Sequence, residues 1–284
     1  MAVTNDWGEA SVNNTNGYGK GAINNTIRWG KIYQSSASGD TNIGTAVTPS
    51  FTNTLSTRFD GVDDFVNCGT NSSLNFERTD AFSYSFWVAR ASFNTNHMML
   101  SKMNPSGNRR GMFLNLNSEN KVVVMLRTDT SFTSQRLFWK TNELINDSNW
   151  HHIVFTFDGS STVGGGKIYI DGAAATFDMA NGALSATIQQ SSPFLIGTMS
   201  TAPLLPADAA LDEVAVFNTE LSASAVTTIY NSGVPNDLTG TSGLVSWWRM
   251  GDGDTFPTIT DNVGSNNGTM TNMSAGNFIS NVPT

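Results

Sequence analysis

Trp150-His-His-Ile-Val-Phe-Thr-Phe-Asp158 and, shortly after it, Lys167-Ile-Tyr-Ile-Asp-Gly172 decide the fold class. The first segment sets Ile153, Phe155 and Phe157 against Trp150, His152 and Val154, which is the two-residue period of a strand. The second ends in Asp171-Gly172, a dipeptide suited to a tight turn between antiparallel strands. Working outward, the same pattern recurs. Ala81-Phe-Ser-Tyr-Ser-Phe-Trp-Val-Ala89 alternates Phe82, Tyr84, Phe86 and Val88 with Ser83, Ser85 and Trp87. Gly111-Met-Phe-Leu-Asn-Leu-Asn117 places Met112, Leu114 and Leu116 on one face. Lys121–Arg127, Phe194–Gly197 and Leu211–Phe217 read as further strands. Gly, Asn and Ser turns separate these runs, so the chain predicts an all-β antiparallel sandwich of jelly-roll type.

Composition agrees with strands and disfavours helices. Of 284 residues, 39% are hydrophobic, enough for a sizeable core, and only 13% are charged. That is about half the ~25% of ordinary soluble proteins. Asn, Ser and Thr together fill about a third of the chain. Helical bundles need Ala, Glu, Lys and Leu in that place. The formal net charge is −8, and the only adjacent pair of cations is Arg109-Arg110. A nucleic-acid partner is therefore not expected. The single cysteine, Cys68, excludes a disulfide framework and a cysteine zinc site. It reads as a small buried filler. Met1–Asp6 has neither a basic nor an apolar leader region, so no secretory signal is expected. The longest apolar runs, such as Val122–Leu126, are far too short for a membrane span.

Three zones follow. Residues 1–50, rich in Asn, Gly, Ser and Thr, predict an extended N-terminal arm or anchor with one or two strands, clearest at Thr26–Tyr33. Residues 51–235 carry the jelly roll. It includes one short helix near residues 222–231, with Ser222 as its N-cap and Gly233 as its stop. Residues 236–284 offer strands at Gly243–Met250, Phe256–Asn262 and Asn267–Asn272. They are too few to bury a core alone. They are expected to complete the same sandwich; the alternative is packing on a neighbouring subunit.

The chain resembles the laminin-G-like, concanavalin A-like lectin-glucanase jelly rolls in four stretches. These are Arg58-Phe-Asp-Gly-Val-Asp-Asp-Phe-Val66, Phe82–Val88, Trp150–Gly159 with Lys167–Gly172, and Leu211–Asn218 running into the helix. Gly243-Leu-Val-Ser-Trp-Trp-Arg-Met250 looks like the family's opening strand, here placed last, as in a circular permutation. Two softer likenesses are to structural proteins of marine tailed bacteriophages: Ile23–Ile43 and Trp248–Thr258.

For function, these resemblances imply a non-enzymatic virion structural protein. It would be a capsid decoration, head fibre or tail-fibre module displaying a lectin-like jelly roll that binds surface glycans. The alternative is a carbohydrate-binding module or adhesin of a bacterial cell surface. Expected partners are other virion proteins, engaged through the N-terminal arm, and host-surface glycans, with a homo-oligomer as a further expectation. The expected location is the virion, assembled in the host cytoplasm.

Glycosidic chemistry needs two carboxylates at a fixed separation. The family's glucanases carry Glu-x-Asp-x-x-Glu, which is absent here, and Asp212-Glu213 would point to opposite faces of a strand. His151 and His152 are likewise adjacent and cannot share a metal. The resemblance implies calcium, with Asp60 and Asp212 as the positions to test. The alternative roles are a turn at Asp60-Gly61 and backbone hydrogen bonds at Asp212. Trp139, within Arg136–Lys140, is the candidate aromatic platform for a ligand, with the Met98–Met112 and Thr198–Ala210 segments as lining loops.

Overall fold

The computed structural model describes residues 51–103, 109–128 and 135–284 in full, and the backbone of four strands within residues 1–50. The chain divides into two compact units, Met1–Thr52 and Asn53–Thr284.

The first unit holds β1 (Val3–Asp6), β2 (Glu9–Asn14), β3 (Ile23–Arg28) and β4 (Lys31–Ser36) as one antiparallel sheet in that order. Four strands lie here where one or two were expected. β1 pairs with β2 from Val3 opposite Val12, and β2 with β3 from Ala10 opposite Ile27. Trp7, Tyr18, Trp29 and residues 37–50 lie outside the described residues.

The second unit opens with β5 (Ser56–Asp60), β6 (Phe65–Asn67), β7 (Phe82–Arg90) and β8 (His97–Met103). Next come β9 (Gly111–Leu116), β10 (Lys121–Arg127), β11 (Arg136–Leu144) and β12 (Trp150–Phe157). They are followed by β13 (Gly166–Ile170), β14 (Ala173–Ala174), β15 (Phe177–Ala183), β16 (Leu195–Ile196) and β17 (Asp208–Phe217). After α1 (Ala223–Tyr230) come β18 (Leu244–Trp248), β19 (Thr258–Ile259), β20 (Gly268–Thr271) and β21 (Phe278–Ile279). Two antiparallel sheets result. The nine-stranded sheet runs β15-β11-β10-β9-β8-β16-β6-β20-β19. The eight-stranded sheet runs β14-β13-β12-β7-β17-β5-β21, with β18 also on β17. This is the expected jelly-roll sandwich.

The core lies between the sheets. Phe82, Phe86, Phe155 and Phe157 come from one side, and Leu114, Val124, Leu126, Leu137 and Trp139 from the other. Trp139 is 0% exposed, so it is not a ligand platform. On β11, Arg136, Phe138 and Lys140 turn outward, and the period of two turns Trp139 inward. There it meets Phe155 at 5.2 Å, and its indole N–H donates to the carbonyl of Val163 (2.9 Å). Gly166 permits this. A Cβ at that position would lie 2.3 Å from the Trp139 ring.

The Met98–Met112 segment is also not a loop throughout, since His97–Met103 is the buried strand β8. Ala210 likewise lies inside β17, which starts at Asp208. The helix is capped as expected, with Ser222 Oγ accepting from the Ala225 N–H (3.2 Å). Its stop is Asn231, in the left-handed region (φ 47), ahead of Gly233. Val226 and Ile229 are buried, and Tyr230 stacks on Trp87 at 5.7 Å. The helix thus covers part of the outer face of the eight-stranded sheet.

The C-terminal strands pair within the chain. β18 joins β17, β20 joins β6, and β21 joins β5, so residues 236–284 extend both sheets. Trp248 locks this segment in: it is fully buried, stacks on Phe194 at 5.7 Å, and donates its indole N–H to the Asn266 carbonyl (2.8 Å).

Candidate functional site

The outer face of the nine-stranded sheet follows from alternation. Met112, Leu114 and Leu116 of β9 and Val122, Val124 and Leu126 of β10 belong to the core. Their neighbours Phe113, Asn115, Val123, Met125 and Arg127 therefore face away from it. Register aligns one row across this face: Asn181, Phe138, Met125, Phe113, Ser101, Leu195 and Asn67. Phe113 and Phe138 are half-buried and flank Met125, which is 8% exposed. A second row carries Asn115, Val123 and Lys140. Asn115 is buried, and its Oδ1 accepts no hydrogen bond among the described residues. The α-helix α1 packs on the other sheet, through Tyr230 on Trp87. The face therefore combines two accessible rings with amides and cations. It was not legible as such, because no single strand contains the row.

A separate cleft of about 660 Å³ lies at one end of the sandwich, lined by Ser72, Asn75, Phe76, Asp80, Gln189 and Asn218.

The expected metal positions do not come together. Register sets Asp60 opposite Asp208, and Asp212 lies four residues further along β17. At ~3.4 Å per residue that is ~14 Å, beyond reach of one ion. Asp60 instead groups with Asp63 and Asp64, their ligand oxygens within 4.8 Å of one another. Burial, then the Asp60 charge, raises the Asp64 carboxyl. Asp60 also makes the expected turn, accepting from the Val62 N–H (2.8 Å). The adjoining Gly61 is required, since a Cβ there would lie 2.8 Å from Asp208 Cβ.

Asp212 and Glu213 are both buried, at 0% and 3% exposed. A bulge in the pairing of β17 with β7, with Glu213 at φ 48, replaces the expected simple alternation. Asp212 accepts from Asn53 Nδ2 (2.8 Å), while Glu213 accepts from the Trp247 indole and from Arg249 Nε (3.2 Å). Burial raises both carboxyls, Glu213 to about 7. The histidines separate as expected. His151 meets Asp171 (2.7 Å), whose hydrogen bond raises its pKa, while His152 meets Ser85 Oγ (2.8 Å) in full burial and is pushed down to about 3. Cys68 is buried, which pushes its thiol well up and leaves it unreactive.

The profile of the concanavalin A-like lectin/glucanases superfamily matches residues 60–227, more than half of the chain. The chain belongs to this superfamily. Among solved structures, a candidate carbohydrate-binding protein from Bacteroides ovatus is similar over 93% of this chain and 70% of its own, at 15% identity and a TM-score of 0.60. A heptameric pentraxin from Limulus polyphemus is similar over 63% of this chain and 82% of its own (13% identity, TM-score 0.46). A Trypanosoma rangeli sialidase is similar over 78% of this chain and 32% of its own (14% identity, TM-score 0.44). A comparison with curated proteins returns no match. Within the superfamily fold, the acidic pair of this chain is tied up by Asn53, Trp247 and Arg249.

Proposed function

We propose that the chain is a non-enzymatic, glycan-binding jelly roll that uses the outer face of its nine-stranded sheet. The observation carrying this reading is the row Asn181–Phe138–Met125–Phe113, apolar rings bordered by amides on a face away from the core. Sugars offer apolar ring faces and a rim of hydroxyls, and such a surface answers both. The description of the Bacteroides ovatus structure supports the same reading. A non-enzymatic role is supported by the burial and hydrogen bonding of Asp212 and Glu213. A glycosidase needs two accessible carboxyls flanking the scissile bond. Glycan-array binding followed by calorimetry tests the reading. Phe138→Ala should weaken binding by about 1 kcal/mol, roughly fivefold, with an unchanged melting temperature. Unchanged affinity would remove this face from the binding site.

The finer proposal is display on a virion, as a capsid decoration, head fibre or tail-fibre module. The likeness of Ile23–Ile43 and Trp248–Thr258 to phage structural proteins favours it. A separate N-terminal sheet suits an anchor, with edge strands β1 and β4 offered to a virion neighbour or to further copies of the chain. Mass spectrometry of purified particles checks this. Its absence from them would leave the cell-surface adhesin.

Calcium is proposed at Asp60, Asp63 and Asp64, whose hard oxygens suit it. Calcium should raise the melting temperature and Asp60→Ala should abolish the shift; no shift with calcium or chelator rejects the site.

A further inference from the structure

We propose that the cleft at the end of the sandwich is a second binding site, built for a short, uncharged saccharide. It shares no residue with the aromatic row of the sheet face, so either site can fail without the other. Its volume of about 660 Å³ lies within the roughly 300–1,000 Å³ of small-molecule sites, room for about one or two sugar rings. Four segments far apart in sequence converge on it. The β6–β7 connection gives Phe76, the stretch ahead of β16 gives Gln189, the residue after β17 is Asn218, and β18 gives Val245.

One part of the lining is apolar and held in place by the core. Phe76 is half-buried, stacks on Phe82 (5.0 Å between centroids) and meets Tyr84 edge-on at 6.4 Å. Both partners are buried, so the Phe76 ring is a fixed platform for the apolar face of a sugar. The wall beside it is also fixed. Gln189 Nε2 donates to the Asn75 carbonyl (2.8 Å), and Asn75 Oδ1 accepts from the Gln190 N–H (3.2 Å). The rest of the rim is polar and uncommitted. Ser72, Thr79 and Asn218 are exposed, and among the described residues their side chains make no hydrogen bond within the protein. Asp80 accepts from the Glu77 N–H through Oδ2 (2.7 Å), which leaves Oδ1 for a ligand hydroxyl. Hydroxyls and amides that bond only to solvent exchange water for sugar hydroxyls at small cost. Charge narrows the ligand class. Asp80 is the one carboxylate of the lining, and the lining contains no cation, so an anionic sugar meets repulsion and no counter-charge.

The test applies saturation-transfer NMR and calorimetry to the full chain. The probes are the methyl glycosides of glucose, galactose, mannose and N-acetylglucosamine, with glucuronate, N-acetylneuraminate and choline as charged counterparts. At least one methyl glycoside should bind, about tenfold more tightly than any charged probe. Asn218→Ala, at an exposed position, should weaken it about fivefold. Phe76→Leu, which keeps apolar bulk and removes the ring, should cost about as much. Thr79→Trp, exposed at the rim, should block the cleft even if Phe76→Leu fails to fold. Phe138→Ala should leave the affinity unchanged. A loss with Phe138→Ala and none with the three cleft variants puts the sugar on the sheet face; it overturns the second site and leaves the glycan reading standing. A charged probe bound as tightly as the best methyl glycoside overturns the inference, as does binding of no methyl glycoside. The sheet-face reading is then judged separately, by the longer glycans of the array.

Discussion

Glu213 sits at φ 48 in the bulge of β17, where a strand residue would ordinarily be extended. The bulge lets two consecutive acids be buried together, which simple alternation would not predict. Burial raises Glu213 to about 7 from 4.5, and Asp212 is raised as well, by burial and then by the Glu213 charge. The fold therefore holds protons that the unfolded chain releases, and stability falls as pH rises through that window. His152 works in the opposite direction. Buried and pushed down to about 3 from 6.5, it stays neutral while the unfolded chain takes up a proton, so stability falls as pH drops below about 6.5. We expect Glu213→Gln to flatten the alkaline limb of the melting-temperature profile, removing several degrees of the difference between about pH 5 and pH 8. Parallel profiles for the two proteins would refute this account. The sequence shows the two acids side by side but not their joint burial, because the bulge that permits it depends on how β7 and β17 register.

Elements were legible where the residue types themselves carry a strand pattern. β7, β9 and β12 alternate in residue type, β10 is an apolar run capped by cations, and all four form where expected. β8 does not alternate: its pairing with β9 is irregular between Met98 and Leu100, Met99 and Leu100 both enter the core, and Ser101 Oγ donates to the Thr198 carbonyl (2.9 Å) of an overlying segment. A run of Met, Ser and Lys without period carries no strand signal, and so it read as a loop. The same logic explains Trp139. Composition cannot tell a buried indole from an exposed one, but its odd position between Phe138 and Lys140 on one strand decides the matter. β18 is the element whose loss should cost most per residue. Trp248→Ala should destabilise the second unit by about 3–5 kcal/mol, since it empties a fully buried site and orphans the Asn266 carbonyl. Urea denaturation would measure this; a loss below about 1 kcal/mol would mean β18 is peripheral.

At the scale of the molecule, the sandwich is built from segments far apart in sequence. β5 is held between β17 and β21, and β6 between β16 and β20. A chain ending at Pro235 would strip β21 from β5, β20 from β6 and β18 from β17. It is expected to lose its cooperative unfolding transition and its near-ultraviolet circular dichroism. A truncated chain that melts as sharply as the intact one would disprove the closure. The sequence by itself determined the antiparallel all-β class, most strand positions, the capped helix and the superfamily resemblance. These depend on residue type at short spacing, where side-chain periodicity and turn chemistry act locally. Only the tertiary structure decided which acids, rings and cations share a surface. Asp60 was separated from Asp212 and joined to Asp63 and Asp64, Trp139 was taken into the core, and Arg127 was set against Arg136 beside Phe138. The physical reason is register: a shift of one residue between strands exchanges the faces of every side chain, and register is fixed by packing between distant segments.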